Sequence, residues 1–303
     1  MARAWSIGCT LLEKSMVNRI LARLSPEKKS RLRALDRKAR QLLVRKFRSF
    51  GKPQLIRDLR SLGVERGDAL MVHCSFQGAP GFTGSPSAFI DALLEVVGPE
   101  GHLLMVSMSY LGSTYDYLKE AKLFDVRKTV SQMGIVSECF RRHSAVIRSQ
   151  HPTHPILALG PKASWLVGDH EKCLCPCGLG TPFDKFQQLG GKVLLFNVTT
   201  HKFSFFHFLE ERIKDQLQFP LFYPEPFEVP YVDFAGKRQV MRTYVYSLEA
   251  IRRRRFHILT DELDKQRLIK ARHLGNSYLQ LLGTKDLIRG LDDMTTQGNY
   301  FYE

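Results

Sequence analysis

Two histidine-containing segments carry the residues best suited to proton transfer. One contains His151 and His154, and the other contains His207, followed closely by Glu210 and Glu211. The unperturbed pKa of histidine lies near 6.5, so that its imidazole can accept and release a proton near neutral pH, as a general base must. A carboxylate beside the imidazole fixes its tautomer and stabilises its charged form. The pattern makes His207 and His151 candidates for a general base, with Glu210 or Glu211 as the carboxylate partner of His207.

Both histidines also have a structural interpretation that the sequence leaves open. His207 is followed by apolar residues, as hydrogen-bonded histidines of protein cores often are. His151 precedes a proline and can simply shape a turn. From the residues alone, both the catalytic and the structural interpretation stay open.

A cluster of cysteines raises the question of a metal. Cys173, Cys175 and Cys177 lie close to His170, but their single-residue spacing differs from the two-residue spacing of zinc sites. No second ligand pair follows at the usual distance, so we expect no metal and a loop of small thiols near the site. With six cysteines in 303 residues and no convincing export signal, we expect a cytoplasmic protein.

A glycine-rich loop provides a candidate phosphate site. An apolar strand at residues 69–73 leads into the loop of residues 77–84, after which Ser85 begins a helix that runs to about Val97. Free backbone N–H groups and the positive end of the helix dipole would face the loop. Many loops between a strand and a helix contain glycine and bind nothing, so the loop alone does not establish a site.

The chain beyond residue 50 alternates helices and strands without an internal repeat. The motifs of serine hydrolases, P-loop NTPases and dinucleotide-binding enzymes are missing or incomplete. Other predicted helices cover residues 53–62, 130–142 and 248–274, and other predicted strands cover residues 103–106, 193–196, 228–233 and 240–246. The pattern predicts one α/β body rather than several domains.

The positive charge is concentrated in an amino-terminal arm. Residues 1–50 hold 14 lysines and arginines against 3 carboxylates, a net +11 of the +15 of the whole chain. Apolar residues recur at helical spacing through residues 16–24 and 32–47, and Ser25 with Pro26 starts the second helix. The arm can be a helical hairpin that packs on the body, or an interfacial helix attracted to anionic lipid on the inner face of the membrane. Nucleic acid is not expected as a partner, since no recognised binding motif accompanies the charge.

Three blocks in order are similar to the aminoglycoside 3-N-acetyltransferase family. The first runs from Met-Val-His-Cys-Ser-Phe at residues 71–76 through the glycine loop to residues 92–98. The second lies within residues 133–160 and includes Arg-Ser-Gln-His-Pro, and the third lies within residues 180–210 and ends at the His207 segment. The similarity as a whole runs in order from about residue 52 to residue 302, about five-sixths of the chain. Ordered blocks of this kind resemble the family far more specifically than any one of them alone.

The resemblance implies a single mixed-sheet α/β/α domain at residues 51–303, behind the arm of residues 1–50. It implies acetyl-CoA, or a similar acyl-CoA, as cosubstrate, with His207 as the general base and no covalent acyl-enzyme. The residues implied in contact with CoA are Ser75, Gly81, Gly84, Ser85 and Ser149, and the His151–Pro152 segment lines the same cleft.

Several departures from the family pattern bear on the acceptor. Ser204 replaces a usual threonine, Pro155 replaces a usual serine, and residues 243–247 lack the carboxylate of resistance-type members. The body is mildly basic, whereas a cleft that collects polycationic aminoglycosides should be acidic. Residues 292–302 resemble a branch that accompanies surface-polysaccharide synthesis. We expect the acceptor to be an amino sugar, aminoglycoside-like or linked to a carrier; the alternative is a catalytically idle relative that binds or scaffolds at a membrane.

Overall fold

The computed structural model describes residues 25–76, 81–120 and 122–303. The chain divides into two compact units, Met1–Arg48 and Ser49–Glu303. Within the described ranges, no helix combines the length and the apolar character that crossing a bilayer requires.

The first unit contains helix α1, Pro26–Phe47. It begins as its sequence predicts, since the side chain of Ser25 accepts a hydrogen bond from the backbone N–H of Lys28 and proline takes the first helical position. The other predicted helix of the arm, residues 16–24, lies outside the described residues.

The second unit alternates strands and helices along its length. Its strands are β1 (Ala69–Cys74), β2 (His102–Val106), β3 (Phe124–Asp125), β4 (Ile147–Arg148), β5 (Ile156–Leu159), β6 (Lys192–Phe196), β7 (Phe227–Val232), β8 (Arg238–Thr243), β9 (Lys270–Leu274) and β10 (Ser277–Gly283). Its helices are α2 (Lys52–Leu62), α3 (Pro86–Val97), α4 (Thr114–Lys119), α5 (Ile135–Arg141), α6 (Ala163–Val167), α7 (Pro182–Gln188), α8 (Phe206–Arg212), α9 (Leu248–Arg253), α10 (Phe256–Lys265) and α11 (Thr284–Thr296).

A mixed sheet forms the centre of this unit, with the strand order β4-β5-β2-β1-β6-β10-β9. Strand β1 is parallel to both β2 and β6, and Met71 lies opposite Leu104 on one neighbour and Val193 on the other. The next strands outward run the other way, since β5 is antiparallel to β2 and β10 is antiparallel to β6. The edge strands β4 and β9 reverse direction once more. The predicted mixed sheet is confirmed.

Helices cover both faces of the sheet. Side chains alternate along β1, so that Met71 joins one hydrophobic cluster while Leu70 and Val72 join another. The cluster with Met71 includes residues of α6, α7, α8, α10 and α11, and the cluster with Leu70 includes residues of α2, α3 and α5. A sheet buried on both sides explains why β1, β2 and β6 are continuous apolar runs in the sequence. The predicted three-layer α/β/α architecture is confirmed.

Two of the predicted helices are wrong in extent. The helix expected at residues 130–142 begins only at Ile135, because Gly134 has φ 102°, a left-handed value that an α-helix does not accommodate. The helix expected at residues 248–274 breaks at Arg254, whose ψ of 131° is extended, and its last part is strand β9. There the pairing with β10 overrides the helical periodicity of the sequence.

A smaller sheet of order β3-β7-β8 is joined to the large one through a buried cation. The guanidinium of Arg148 donates to the carbonyl of Ser107 at the end of β2, and to that of Thr129 in the turn after β3. It also lies over the ring of Phe124, 4.6 Å from the centroid. Arg148 is 3% exposed and therefore holds the two sheets together from within.

Candidate active site

The candidate site lies at the edge of the sheet where the parallel strands β1, β2 and β6 end. Helix α8, which carries His207, is the first α-helix after β6. The loop of residues 149–155 reaches the same edge, because it leads into β5, whose first residue Ile156 lies opposite Val106 at the end of β2. The strand order reverses at β1, which has β2 on one side and β6 on the other. Ligands of open α/β sheets bind at such a reversal point.

His207 is positioned by the apolar residues around it on helix α8. Phe206 and Phe208 are buried in the larger core, while the His207 side chain is 18% exposed. Its Nδ1 lies 2.7 Å from Oε2 of Glu210, three residues further along the helix. The structure thus brings together two of the three predicted catalytic residues.

Glu210 is fully buried and has three hydrogen-bonding neighbours. Its Oε1 accepts hydrogen bonds from Nε of Arg254 and from the hydroxyl of Tyr302, while Oε2 faces His207. Burial alone would raise the pKa of this carboxyl, but Arg254, His207 and Tyr302 outweigh burial and hold the pKa below its ordinary value. A carboxylate can only accept a hydrogen bond, so Nδ1 of His207 carries the proton and the lone pair lies on Nε2.

The imidazole of His207 remains easily deprotonated despite its carboxylate. Burial lowers its pKa, and the hydrogen bond and charge of Glu210 only partly oppose that effect. The ring packs against Tyr246, with a centroid distance of 4.9 Å, and edge-on against His154 at 5.6 Å. His207 therefore has the two properties of a general base near neutral pH, a fixed tautomer and an unprotonated second nitrogen.

Glu211, the other predicted carboxylate partner, differs from Glu210 in its protonation state. Its Oε1 accepts hydrogen bonds from the hydroxyl of Tyr246 at 2.7 Å and from the backbone N–H of Cys177 at 2.9 Å. Burial raises the pKa of Glu211 to about 8, so that this carboxyl is largely protonated at pH 7. The geometry therefore selects Glu210, and not Glu211, as the partner of His207.

His151 lies in the interior and makes contacts different from those of His207. It has no exposed surface, and its Nδ1 faces the backbone N–H groups of Thr153 and His154 at 3.4 and 3.3 Å. Its Nε2 therefore carries the proton, and lies 3.3 Å from the hydroxyl of Thr243. Burial, together with His170 and His154, lowers the pKa of His151 well below its ordinary value. These contacts hold a neutral ring in place.

Ser149 is also buried, and its hydroxyl is engaged on both sides. The oxygen accepts the backbone N–H of Ile156 at 2.9 Å. Nε2 of His170 lies 2.9 Å from the carbonyl of Pro176 and must donate to it, which leaves Nδ1 of His170 to accept the Ser149 hydroxyl at 2.9 Å. Ser149 thus ties the loop of residues 149–155 to its surroundings.

The predicted phosphate loop is described from Gly81 onward, and residues 77–80 lie outside the described residues. Ser85 caps helix α3 by accepting the backbone N–H of Ala88 at 3.1 Å. A Cβ at Gly84 would lie 2.6 Å from the ring of Phe82, so a larger residue there would have to displace that ring. On the neighbouring strand, the backbone N–H of Ser75 donates to the carbonyl of Phe196 at 3.0 Å and extends the pairing of β1 with β6.

Arg254, Tyr302 and His154 are site residues that the sequence interpretation did not select. Arg254 belongs to a run of arginines and Tyr302 lies 92 positions beyond Glu210, so neither shows a local spacing that points to His207. His154 was noted but given no role. Across the described ranges, no group of histidine, cysteine and carboxylate side chains could hold a metal ion.

Several solved structures with the same fold are aminoglycoside acetyltransferases. The aminoglycoside acetyltransferase AAC(3)-Xa is 25% identical, with a TM-score of 0.73 over 88% of this chain and 99% of that one. The AAC(3)-IVa apoenzyme is 27% identical, with a TM-score of 0.66 over 82% and 90%. AAC-IIIb, solved as a binary complex with CoASH, is 22% identical and shares the fold, with a TM-score of 0.67 over 82% and 97%. The fold is therefore that of aminoglycoside acetyltransferases.

Sequence comparison names the family. A sequence model of aminoglycoside 3-N-acetyltransferases matches residues 71–296. Aminoglycoside N(3)-acetyltransferase VIII of Streptomyces fradiae is 28% identical over 222 residues, which cover 68% of this chain and 74% of the relative. Aminoglycoside N(3)-acetyltransferase IV of Salmonella sp is 34% identical over 149 residues, covering 48% and 53%. The chain belongs to the aminoglycoside 3-N-acetyltransferase family, and the predicted enzyme class and acetyl-CoA cosubstrate are confirmed.

Proposed function

We propose that this enzyme transfers the acetyl group of acetyl-CoA to the amine of an amino sugar, with His207 as the general base. The supporting observation is the 2.7 Å contact between Nδ1 of His207 and the ionised Glu210. This contact leaves the lone pair on Nε2, where a proton can be accepted.

The acetyl group passes directly from CoA to the acceptor amine, without a covalent enzyme intermediate. The amine nitrogen of the acceptor attacks the thioester carbonyl carbon and gives its proton to Nε2 of His207. As the C–N bond forms, the C–S bond breaks, and the departing CoA sulfur takes the proton back from the imidazolium. Cys74 is a poor nucleophile for a covalent intermediate, because burial raises the pKa of its thiol to about 12 and little thiolate forms at neutral pH. This also favours direct transfer.

The CoA contacts belong, in this proposal, to the segment at the end of β1 and to the start of α3. Ser75 follows β1, and the segment from Gly81 to Ser85 leads into the twelve-residue helix α3. The free backbone N–H groups and the positive end of this helix favour binding of a phosphate group. Gly84 keeps the loop compact beside them. Ser149 and His151 are buried with their polar atoms hydrogen-bonded, so in this proposal they support the cleft from behind and do not contact CoA.

The acceptor is assigned from chemistry that the family members share. The named relatives act on aminoglycosides, which are amino sugars, and the body of this enzyme carries a net charge of only +4. A mildly basic body suits an amino sugar on an anionic carrier better than a free polycation. An acceptor panel of aminoglycosides, simple amino sugars and nucleotide-linked amino sugars distinguishes these cases.

Replacement of His207 tests the proposal. His207→Ala should lower turnover at least about a hundredfold while CoA binding stays nearly unchanged, because a general base contributes 10²–10⁴ to the rate. Release of free thiol measures turnover, and calorimetry measures CoA binding. His257→Ala, at an exposed histidine of α10, is the matched control. Wild-type turnover of His207→Ala would overturn the proposed base, and absence of thiol release with every acceptor would favour the idle binding relative.

Helix α1 supports a second role, attachment to an anionic membrane surface. Leu42, Leu43 and Phe47 are 68%, 59% and 70% exposed on a helix rich in lysine and arginine. Apolar side chains beside basic ones are the pattern of helices that lie in the lipid interface, and each basic residue near the surface contributes about 1 kcal/mol.

Co-sedimentation with vesicles tests this attachment. The full chain should bind vesicles that contain phosphatidylserine, and added salt should weaken the binding. Deletion of residues 1–48 should abolish binding and spare acetyl transfer to a small acceptor. The double variant Leu42→Ser with Phe47→Ser keeps the charge and should also bind less. Equal sedimentation of the truncated and full-length chains would exclude the arm as the anchor.

A further inference from the structure

Glu210 is held from two parts of the chain that are distant in sequence. Arg254 lies at the junction of α9 and α10, 44 positions beyond Glu210, and Tyr302 lies 92 positions beyond it. Both side chains donate to Oε1, so that Oε2 alone faces His207. Two donors on one oxygen leave the carboxylate little freedom to rotate away from the imidazole.

The backbone holds these two donors opposite each other. Arg254 and Tyr302 form an antiparallel bridge, flanked by hydrogen bonds from the N–H of Arg255 to the carbonyl of Phe301 at 2.9 Å and from the N–H of Glu303 to the carbonyl of Arg253 at 3.1 Å. Phe301 has no exposed surface, and its ring lies 4.5 Å from that of Phe206, next to His207. Residues 300–303 are therefore anchored beside helix α8.

The other groups around His207 are electrically neutral at pH 7. His154 has its pKa lowered well below the ordinary value by burial and by His207, and is uncharged. Tyr246 is buried, which raises the pKa of its hydroxyl, and Glu211 behind it is largely protonated. Among the described residues, the charges that act on the imidazole are therefore those of Glu210 and Arg254.

We propose that Arg254 and Tyr302 are positioning residues, which keep Glu210 ionised and aimed at Nδ1 so that His207 presents an unprotonated Nε2 to the acceptor amine. This assignment rests on the proposed role of His207. It gives residues 300–303 a part in the chemistry, although Tyr302 need not touch a substrate.

The sign of the expected pH effect follows from the charges. Arg254 and Tyr302 both stabilise the His207–Glu210 pair in the form that has lost its second proton, and that is the active form of a base. Loss of either donor raises the proton affinity of the pair, wherever the added proton resides. The acidic limb of the pH–rate profile should therefore move to higher pH.

Tyr302→Phe is the sharpest test, because it removes one hydroxyl and keeps the ring packed against Phe301. We expect the acidic limb of kcat/KM to rise by roughly one pH unit, the size of one hydrogen bond to a charged group. The KM for acetyl-CoA should stay unchanged. Tyr300→Phe, in the same segment and packed against the larger core, is the matched control and should keep the wild-type profile. A lower rate with an unshifted limb would overturn the proposal.

A titration of His207 separates this idea from the proposed function. The imidazole pKa measured by NMR should rise in Tyr302→Phe even if another residue proves to be the base. In a Glu210→Gln background, Tyr302→Phe should have no further effect, since the carboxylate it acts on is gone. Arg254→Lys, which keeps the charge, should shift the pKa less than Arg254→Gln. An unchanged His207 pKa in all three single variants of Tyr302 and Arg254 would overturn the positioning role whatever the enzyme's activity.

Discussion

The His207 segment and the His151 segment both bury histidine rings, yet they provide opposite environments. His207 has a carboxylate on one nitrogen and an 18% exposed side chain. His151 has backbone N–H groups on one nitrogen, a threonine hydroxyl near the other and no exposed surface. A buried imidazole can take up a proton during a reaction only where an anion compensates the new charge. The partner, more than the depth of burial, separates a candidate base from a structural histidine.

The same contrast divides two adjacent residues of helix α8. Glu210 has Arg254 as a neighbour and is ionised, whereas Glu211 accepts hydrogen bonds from Tyr246 and Cys177 and is largely protonated. Because consecutive helical side chains point about 100° apart, neighbours in sequence enter different surroundings. Substitutions at these positions therefore test how far the partners of each side chain determine its role.

The largest expected effect is the loss of the Glu210 charge. Glu210→Gln should lower kcat at least about a hundredfold, because the amide no longer stabilises the imidazolium and can favour the wrong tautomer. Glu211→Gln should remain within a few-fold of wild type, since it replaces a neutral acid by a neutral amide. Steady-state kinetics of the two variants measure the difference. Equal losses in both would show that the two carboxyls act together.

The next effect should appear in stability rather than in rate. His151→Ala removes a ring that satisfies Thr153, His154 and Thr243 in the interior, and we expect it to lower the free energy of unfolding by about 3 kcal/mol. His207→Ala should cost much less stability and far more activity. Urea denaturation followed by fluorescence, with kinetics on the folded protein, gives both numbers. If His151→Ala folds with wild-type stability but loses activity, His151 has a catalytic role and not a structural one.

The smallest effect is a pH dependence of stability that Glu211 causes. Burial raises the pKa of Glu211 from 4.5 to about 8, so the folded protein retains a proton that the unfolded chain releases. Its contribution is fully present below pH 4.5 and is lost as the pH rises to about 8. Glu211→Gln should flatten this slope, and its urea midpoint should exceed that of wild type most clearly near pH 8. Parallel slopes in the two proteins would place the effect in another group.

Structural features that depend on the local sequence pattern were predicted well. Strands β1, β2 and β6 are apolar runs bounded by turns, and Glu210 lies three residues after His207, within reach on one helix. The sequence could not predict Arg254 or Tyr302, because their contacts with Glu210 depend on how distant elements pack. The break at Arg254 was missed for the same reason, since the bridge to Tyr302 is formed by tertiary pairing.

Arg148 has a consequence for how the enzyme opens and exchanges its amide hydrogens. The small sheet cannot leave the large one without removing the carbonyls of Val126 and Thr129 and the ring of Phe124 from this charge. The guanidinium would keep its contact with the carbonyl of Ser107, but the other three contacts would be lost until water replaced them. The amides of β7 should therefore exchange together with those of β2, in one cooperative unit, and not through a local fluctuation of the smaller sheet.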